Sequence, residues 1–112
     1  MRIEQIRDEH SDDFFRTILE LDNLDECYAY FDDLMTLKEM KTILQRFRVA
    51  ESLLAHKTYQ KIEAETQAST AIISRVKRSL EEGNHTYEVM MERLAEEKEV
   101  KNPMLDENNT DN

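Results

Sequence analysis

The sequence predicts an all-α fold, and three features of the chain support this class. Only one Gly and one Pro occur among its 112 residues, which leaves little material for β-hairpins or glycine-rich phosphate loops. Apolar residues recur at the spacing of amphipathic helices in several segments. Side chains that cap helices precede most of these segments. A chain of this length is expected to form one domain.

Three helices are predicted in the N-terminal half, with N-caps at Ser11, Asn23 and Thr36. The second and third of these caps are each followed three residues later by a glutamate, which is the capping-box pattern. Thr36 opens the longest helix, which is expected over residues 37–55. Residues 1–10, before the first helix, are expected to be a flexible N-terminus.

The apolar faces of these three helices are wide. They carry aliphatic and aromatic side chains at helical spacing, among them Phe14, Phe15, Ile18, Leu24, Tyr28, Phe31, Leu37, Met40, Ile43 and Leu44. A single small chain does not readily hide so much apolar surface. The pattern favours a homodimer whose N-terminal helices pack across a two-fold axis, and a compact monomeric bundle is the alternative.

Three more helices are predicted in the C-terminal half, capped at their starts by Thr58, Ser69 and Asn84. Gly83 stands where a helix commonly ends on a C′ glycine. Residues 11–100 are expected to form a single helical domain. Residues 101–112 are polar, and we expect them to be a disordered acidic tail.

The sequence also excludes several locations and partners. No segment approaches the roughly 20 apolar residues that a membrane helix needs. The N-terminus has no apolar stretch of the kind found in secretory signals. Cys27 is the single cysteine and cannot form an internal disulfide. We therefore expect a cytoplasmic protein that does not bind membranes.

Charge is distributed unevenly along the chain. The net charge is −10, yet residues 38–78 carry nine basic and four acidic side chains, a net of +5. Residues 1–37 carry a net of −8 and residues 79–112 a net of −7. A basic block between acidic flanks indicates a surface that can approach a polyanion. The alternative is that the blocks only keep a small helical protein soluble.

Residues 58–82 have the pattern of a helix-turn-helix, because only a few residues separate two short helices. Four apolar side chains can form a core shared by both helices: Ile62, Ala68, Ile73 and Val76. The outward face at the start of the second helix is then made of slim side chains and one guanidinium: Ser69, Thr70, Ala71, Ile72 and Arg75. A major groove admits a helix whose leading face is this slender.

The basic block coincides with this unit, so double-stranded DNA is the predicted partner. The five outward residues are candidates for reading bases, with Arg75 suited to guanine or phosphate and Ile72 to thymine methyls. Four flanking residues are candidates for phosphate contacts: Gln60, Lys61, Lys77 and Arg78. The basic block also contains Arg46, Arg48 and Lys57. The alternative is an ordinary helical hairpin with a solvated polar face.

The stretch ASTAIISRVKRSL, together with QRFRVAESLL and TYQKIEAET before it, resembles the Trp-repressor-like family, and within it the YerC/YecD-type branch. The resemblance extends over about residues 14–94. It implies six helices per subunit, an intertwined homodimer, and a helix-turn-helix formed by the fourth and fifth helices. It further implies a transcriptional regulator, in particular a repressor, that binds a palindromic operator with half-sites about 34 Å apart.

The resemblance also implies an effector pocket, and here the sequence departs from the family. Residues matching those that hold tryptophan in responsive members are Arg46, Arg75 and Ser79. Val76, however, stands where those members have a glycine beside the indole ring. Its branched side chain weighs against tryptophan or a related corepressor, and no cofactor is expected. Gln67 replaces the turn glycine and would need a positive φ, and Ile72 replaces a threonine.

Enzymatic and metal-binding functions are not expected. The three histidines, His10, His56 and His85, lie far apart and lack metal-ligand spacing. No nucleophile has a recognisable base near it, so we assign no catalytic residue. A second functional hypothesis is an acidic helical adaptor that binds another protein, because residues 1–37 are strongly acidic and carry a long apolar stripe.

Overall fold

The structure is a computed structural model, and it describes residues 2–101, with the backbone alone at residue 101. Six α-helices and one short 3-10 helix account for nearly all of this part of the chain, and it contains no strand. The all-α prediction is therefore confirmed. In chain order the elements are the 3-10 helix Arg2–Ile6, α1 Glu9–Leu19, α2 Leu24–Leu34, α3 Leu37–Leu54, α4 Tyr59–Thr66, α5 Thr70–Glu82 and α6 Thr86–Lys101.

Most helices begin where local capping chemistry predicts. The Asn23 side chain accepts a hydrogen bond from the Glu26 amide at 2.9 Å. Thr36 and Glu39 form a reciprocal capping box, with the Thr36 amide donating to the Glu39 carboxylate at 2.8 Å. The hydrogen bond from the Thr36 amide lowers the pKa of Glu39, and a hydrogen bond with the Thr36 hydroxyl lowers it further.

The first helix begins earlier than predicted. Its N-cap is Asp8, and Ser11 is the third helical residue of a capping box in which each side chain accepts from the other residue's amide at 2.8 Å. The prediction that Ser11 is the N-cap is therefore wrong. The boundary expected after residue 10 falls inside α1, and the preceding segment forms the 3-10 helix.

The chain divides into two compact units, Met1–Arg46 and Phe47–Asn112. In the first unit, none of the described residues is buried. Large apolar side chains on α1 and α2 are strongly exposed, including Leu19 at 81%, Leu24 at 75% and Tyr28 at 76%. Exposed apolar surface of this extent is typical of surfaces through which proteins contact partners.

The second unit contains the described core. Val49 and Ala50 of α3 pack with Ile62 of α4, Ala68 of the turn, and two residues of α5. The residues of α5 are Ile73 and Val76. This cluster includes all four side chains predicted to form the shared core of the helix-turn-helix, and it fixes α4 and α5 against the end of α3.

The C-terminal boundaries differ from prediction in two places. Gly83 caps α5 with φ −85° rather than in the left-handed conformation expected of a C′ glycine. A Cβ atom at this position would clash with the Ser79 carbonyl oxygen, which explains why glycine fits there. α6 begins at Thr86. Asn84 was predicted to stand directly before this helix, but it lies two residues before its first residue. The predicted disordered tail is residues 101–112, of which Lys101 ends α6 and the remainder lies outside the described residues.

No helix within residues 2–101 has both the length and the hydropathy that crossing a membrane requires.

Candidate nucleic-acid interface

The turn between α4 and α5 is held by backbone and hydroxyl hydrogen bonds. Gln67 adopts the left-handed conformation, with φ 60° and ψ 16°, and its amide donates to the Glu63 carbonyl at 2.9 Å. The buried Thr66 hydroxyl donates to the Ile62 carbonyl at 2.7 Å and accepts from the Ala68 amide at 3.2 Å. The positive φ expected at Gln67 is confirmed, and the turn has a defined geometry.

Two cations of the basic block anchor α4. Arg48 donates to the Glu65 carbonyl at 3.0 Å, satisfying a backbone acceptor at the end of α4. The Lys57 ammonium lies 2.8 Å from the Glu65 carboxylate. The hydrogen bond from Lys57, with the charges of Lys57, Lys61 and Arg48, lowers the pKa of Glu65 against the opposing effect of desolvation. These contacts give Arg48 and Lys57 a structural role.

The start of α5 is exposed. Ser69, Thr70, Ala71 and Arg75 are all exposed, as a surface that enters a groove requires. The Ser69 hydroxyl caps α5 by accepting from the Ile72 amide at 3.2 Å. The Thr70 hydroxyl donates to the carboxylate of Glu63 on α4. Both hydroxyls thus have one fixed partner and retain acceptor capacity toward solvent.

Ile72 differs from the expectation that it faces outward. It is half-buried and packs against the core cluster. The reason is its helical position next to Ile73 and four residues before Val76, which turns part of its side chain toward the apolar face. Only its remaining exposed part can contact another molecule.

Arg75 projects from the same exposed surface. Within the described part of the chain, no carboxylate lies within ion-pair distance of its guanidinium. Its backbone carbonyl accepts a hydrogen bond from the Ser79 hydroxyl at 3.3 Å. The Arg75 side chain therefore retains its donors for a guanine edge or a phosphate.

The four candidate phosphate contacts, Gln60, Lys61, Lys77 and Arg78, are exposed. The Lys61 ammonium is 4.0 Å from the Glu65 carboxylate, and the Arg78 guanidinium is 3.9 Å from that of Glu82. The Lys77 ammonium lies 5.9 Å from the centre of the Tyr59 ring. Exposed ion pairs at such distances are weak, so these cations can turn to a phosphate at little cost.

The residues matched to an effector pocket belong to different units. Arg46 is exposed at the end of the first unit, and Arg75 and Ser79 are exposed on α5 of the second. Val76 is 4% exposed and belongs to the core cluster. Its side chain therefore lies among the core side chains of the second unit.

Glu63 is the residue of this surface that the sequence analysis did not single out. It is half-buried on α4, three residues after Gln60 and therefore on the same side of the helix. The three-residue spacing from Gln60 is the sequence feature that could have identified Glu63 as part of this surface. Its hydrogen bond with Thr70 depends on the crossing of α4 and α5, which spacing alone does not define.

Across residues 2–101, no three metal-ligating side chains (His, Cys, Asp or Glu) lie close enough together to hold a metal ion.

Comparisons with known proteins point to one family. The family model of the Trp repressor protein matches residues 9–95. Protein YerC of Bacillus subtilis (strain 168) is 49% identical over 96 residues, covering 86% of this chain and 92% of that protein.

Two solved structures share the fold. One, from Staphylococcus aureus, is described as a candidate Trp repressor; its TM-score is 0.83, with 46% identity over 85% of this chain and 95% of that chain. A TrpR-like protein from Eubacterium eligens ATCC 27750 has a TM-score of 0.80 and 43% identity, over 82% and 95% of the two chains. The chain therefore belongs to the Trp repressor family, whose members are DNA-binding regulators and not enzymes.

Proposed function

We propose that the protein is a transcriptional repressor that binds a palindromic DNA operator sequence-specifically, as a homodimer, through α4 and α5. The observation that carries this proposal is the exposed first turn of α5. Ser69, Thr70 and Ala71 are small and exposed, and Arg75 follows one turn later. Slim side chains let a helix N-terminus approach base edges in the major groove, and a guanidinium adds a bidentate donor.

In this proposal the residues divide into two groups. Bases are read by Arg75, by the acceptors of Ser69 and Thr70, and by Ala71 with the exposed part of Ile72, which contact thymine methyls. Phosphates are held by Gln60, Lys61, Lys77 and Arg78, which fix register without reading sequence. The core cluster supports this division because it fixes α4 and α5 against each other.

The dimer is supported by the first unit. Its described residues include none that is buried, although α1 and α2 carry many large apolar side chains. A second copy would cover this surface in a closed, two-fold arrangement. In such a dimer a two-fold axis relates the two α5 helices, and a palindromic site with half-sites about 34 Å apart would have the same symmetry.

The proposal includes no tryptophan corepressor. Val76 is buried and branched, and it stands at the position where the family resemblance implies a glycine in tryptophan-responsive members. Adding L-tryptophan should therefore leave the dissociation constant for operator DNA unchanged, as measured by fluorescence anisotropy. A tightening of DNA binding with tryptophan would contradict this part of the proposal.

The test begins with selection of duplexes from a random library and measures affinity for the enriched duplex at two salt concentrations. Affinity should fall steeply with salt because bound phosphates release counterions. Arg75→Ala should weaken binding by about 5- to 150-fold. Arg93→Ala, an exposed position on α6, is the matched control and should change little. A salt-independent affinity, or equal losses in both variants, would contradict the proposal.

The second candidate function is an acidic helical adaptor that binds another protein. The exposed apolar side chains of the first unit, within a segment of net charge −8, are the observation that favours it. A stoichiometric protein partner recovered on this surface, together with no enrichment of any DNA sequence, would support the adaptor over the repressor.

A further inference from the structure

Glu63 places a carboxylate beside the proposed DNA-reading surface. It accepts a hydrogen bond from the hydroxyl of Thr70, the first residue of α5. No cation lies within ion-pair distance of Glu63 in the described part of the chain. Glu65 on the same helix differs, because Lys57 lies 2.8 Å from its carboxylate. Glu63 is therefore a negative charge held by a hydroxyl and not neutralised by a neighbour.

An unneutralised carboxylate is unfavourable on a surface that approaches phosphates, because like charges repel. The repulsion is offset only where the carboxylate meets a hydrogen-bond donor. In the major groove the donors are the amino groups of cytosine N4 and adenine N6. Guanine and thymine present only acceptors there, O6 and N7 or O4, and would be repelled.

Glu63 also determines how Thr70 can act. A free threonine hydroxyl can either donate or accept a hydrogen bond, so it distinguishes bases poorly. The Thr70 proton is donated to Glu63, which leaves only oxygen lone pairs for an external partner. Together the two side chains present acceptors alone.

We infer that Glu63 and Thr70 form an acceptor pair that selects cytosine at one position in each half-site. This inference rests on the proposed DNA-binding function and adds a specificity-determining residue to it. Cytosine fits better than adenine because adenine carries the N7 acceptor next to its amino group, and this atom would repel the second acceptor of the pair. Cytosine has a C–H group in the corresponding place.

The experiment compares random-duplex selection by the wild-type protein, Glu63→Gln and Thr70→Val. The wild type should enrich cytosine at one position per half-site. Glu63→Gln should lose this preference, because an amide both donates and accepts, and should weaken binding to the cytosine site by about 5- to 150-fold. Thr70→Val should weaken the preference for cytosine over adenine at the same position, because it removes the second acceptor of the pair. Glu81→Gln, exposed at the other end of α5, removes the same charge and should keep the cytosine preference.

The outcomes separate this inference from the function on which it rests. The inference is overturned, and DNA binding stands, if the wild type enriches a defined sequence that contains no preferred cytosine. The same holds if Glu63→Gln enriches the same cytosine as the wild type. Equal weakening of all sites by Glu63→Gln would also overturn it, since that result indicates a purely structural role. If the wild type enriches no sequence, the proposed function fails and the inference fails with it.

Discussion

Gln67 lies in the left-handed region at the point where α4 turns toward α5. This conformation costs an L-residue roughly 1–2 kcal/mol relative to a right-handed helical one. Its side-chain amide donates to the Ala64 carbonyl at 2.9 Å, which offsets part of the cost at an exposed position. The left-handed conformation is maintained because the hydrogen bond of the buried Thr66 hydroxyl and the core around Ala68 determine the path of the turn.

Two substitutions at Gln67 should therefore change stability in opposite directions. Gln67→Gly should raise the free energy of unfolding by up to about 1 kcal/mol, because glycine adopts the left-handed region without strain. Gln67→Val should lower it by about 1–2 kcal/mol, because a branched side chain fits that region poorly. Urea unfolding at one fixed protein concentration measures both. A destabilising effect of glycine as large as that of valine would contradict this account of the turn.

At the scale of elements, helix starts were predictable where capping is local. The Thr36 and Glu39 capping box needs only two residues three apart, and the structure has it. The prediction that Ser11 is the N-cap is wrong because Asp8 and Ser11 cap each other, and the sequence pattern alone does not distinguish which of the two begins the helix. The half-burial of Ile72 depends on how α5 packs on the core. Sequence periodicity predicts the edge of the buried helix face only to within one residue, so it does not settle on which side of that edge Ile72 lies.

The junction of α3 and α4 gives a pH dependence. The hydrogen bond from Lys57 holds the pKa of Glu65 below its ordinary value of 4.5. A carboxyl whose pKa is lower in the folded state stabilises the protein above its unfolded pKa, and this contribution is lost as pH falls through the folded pKa. Glu65→Gln should therefore reduce the loss of stability between pH 7 and pH 3.

Urea unfolding at both pH values measures this difference. Lys57→Met is the matched variant, since it removes the same hydrogen bond from the other side, and it should also reduce the pH dependence. If both variants keep the full wild-type dependence on pH, the pair does not contribute as the structure indicates.

In the whole molecule, the two units differ in how many of their described residues are buried. The second unit has a core that holds α4 and α5, whereas α1 and α2 have no buried residue. The wide apolar faces were readable from helical periodicity, and they already favoured a homodimer. In the proposed dimer these faces are covered by a second molecule, and the sequence of one chain does not distinguish this arrangement from a monomeric bundle.

Sedimentation equilibrium should give a mass of twice the 13.3 kDa chain. Replacing Tyr28, which is 76% exposed on α2, by glutamate should shift the protein toward the chain mass, because a charge would be buried in the interface. Lys77→Glu, on α5, should keep the mass of the wild type. A wild-type protein with the mass of one chain at micromolar concentration would contradict the dimer.

Mapping of amide chemical shifts would show whether the first turn of α5 contacts duplex DNA. Isotope-labelled protein would be titrated with the duplex enriched from the random library. If α5 reads the DNA, the largest changes should fall on residues 69–75 and on Lys61, with small changes along α1 and α2. Changes confined to α1 and α2, or none at saturating DNA, would contradict it.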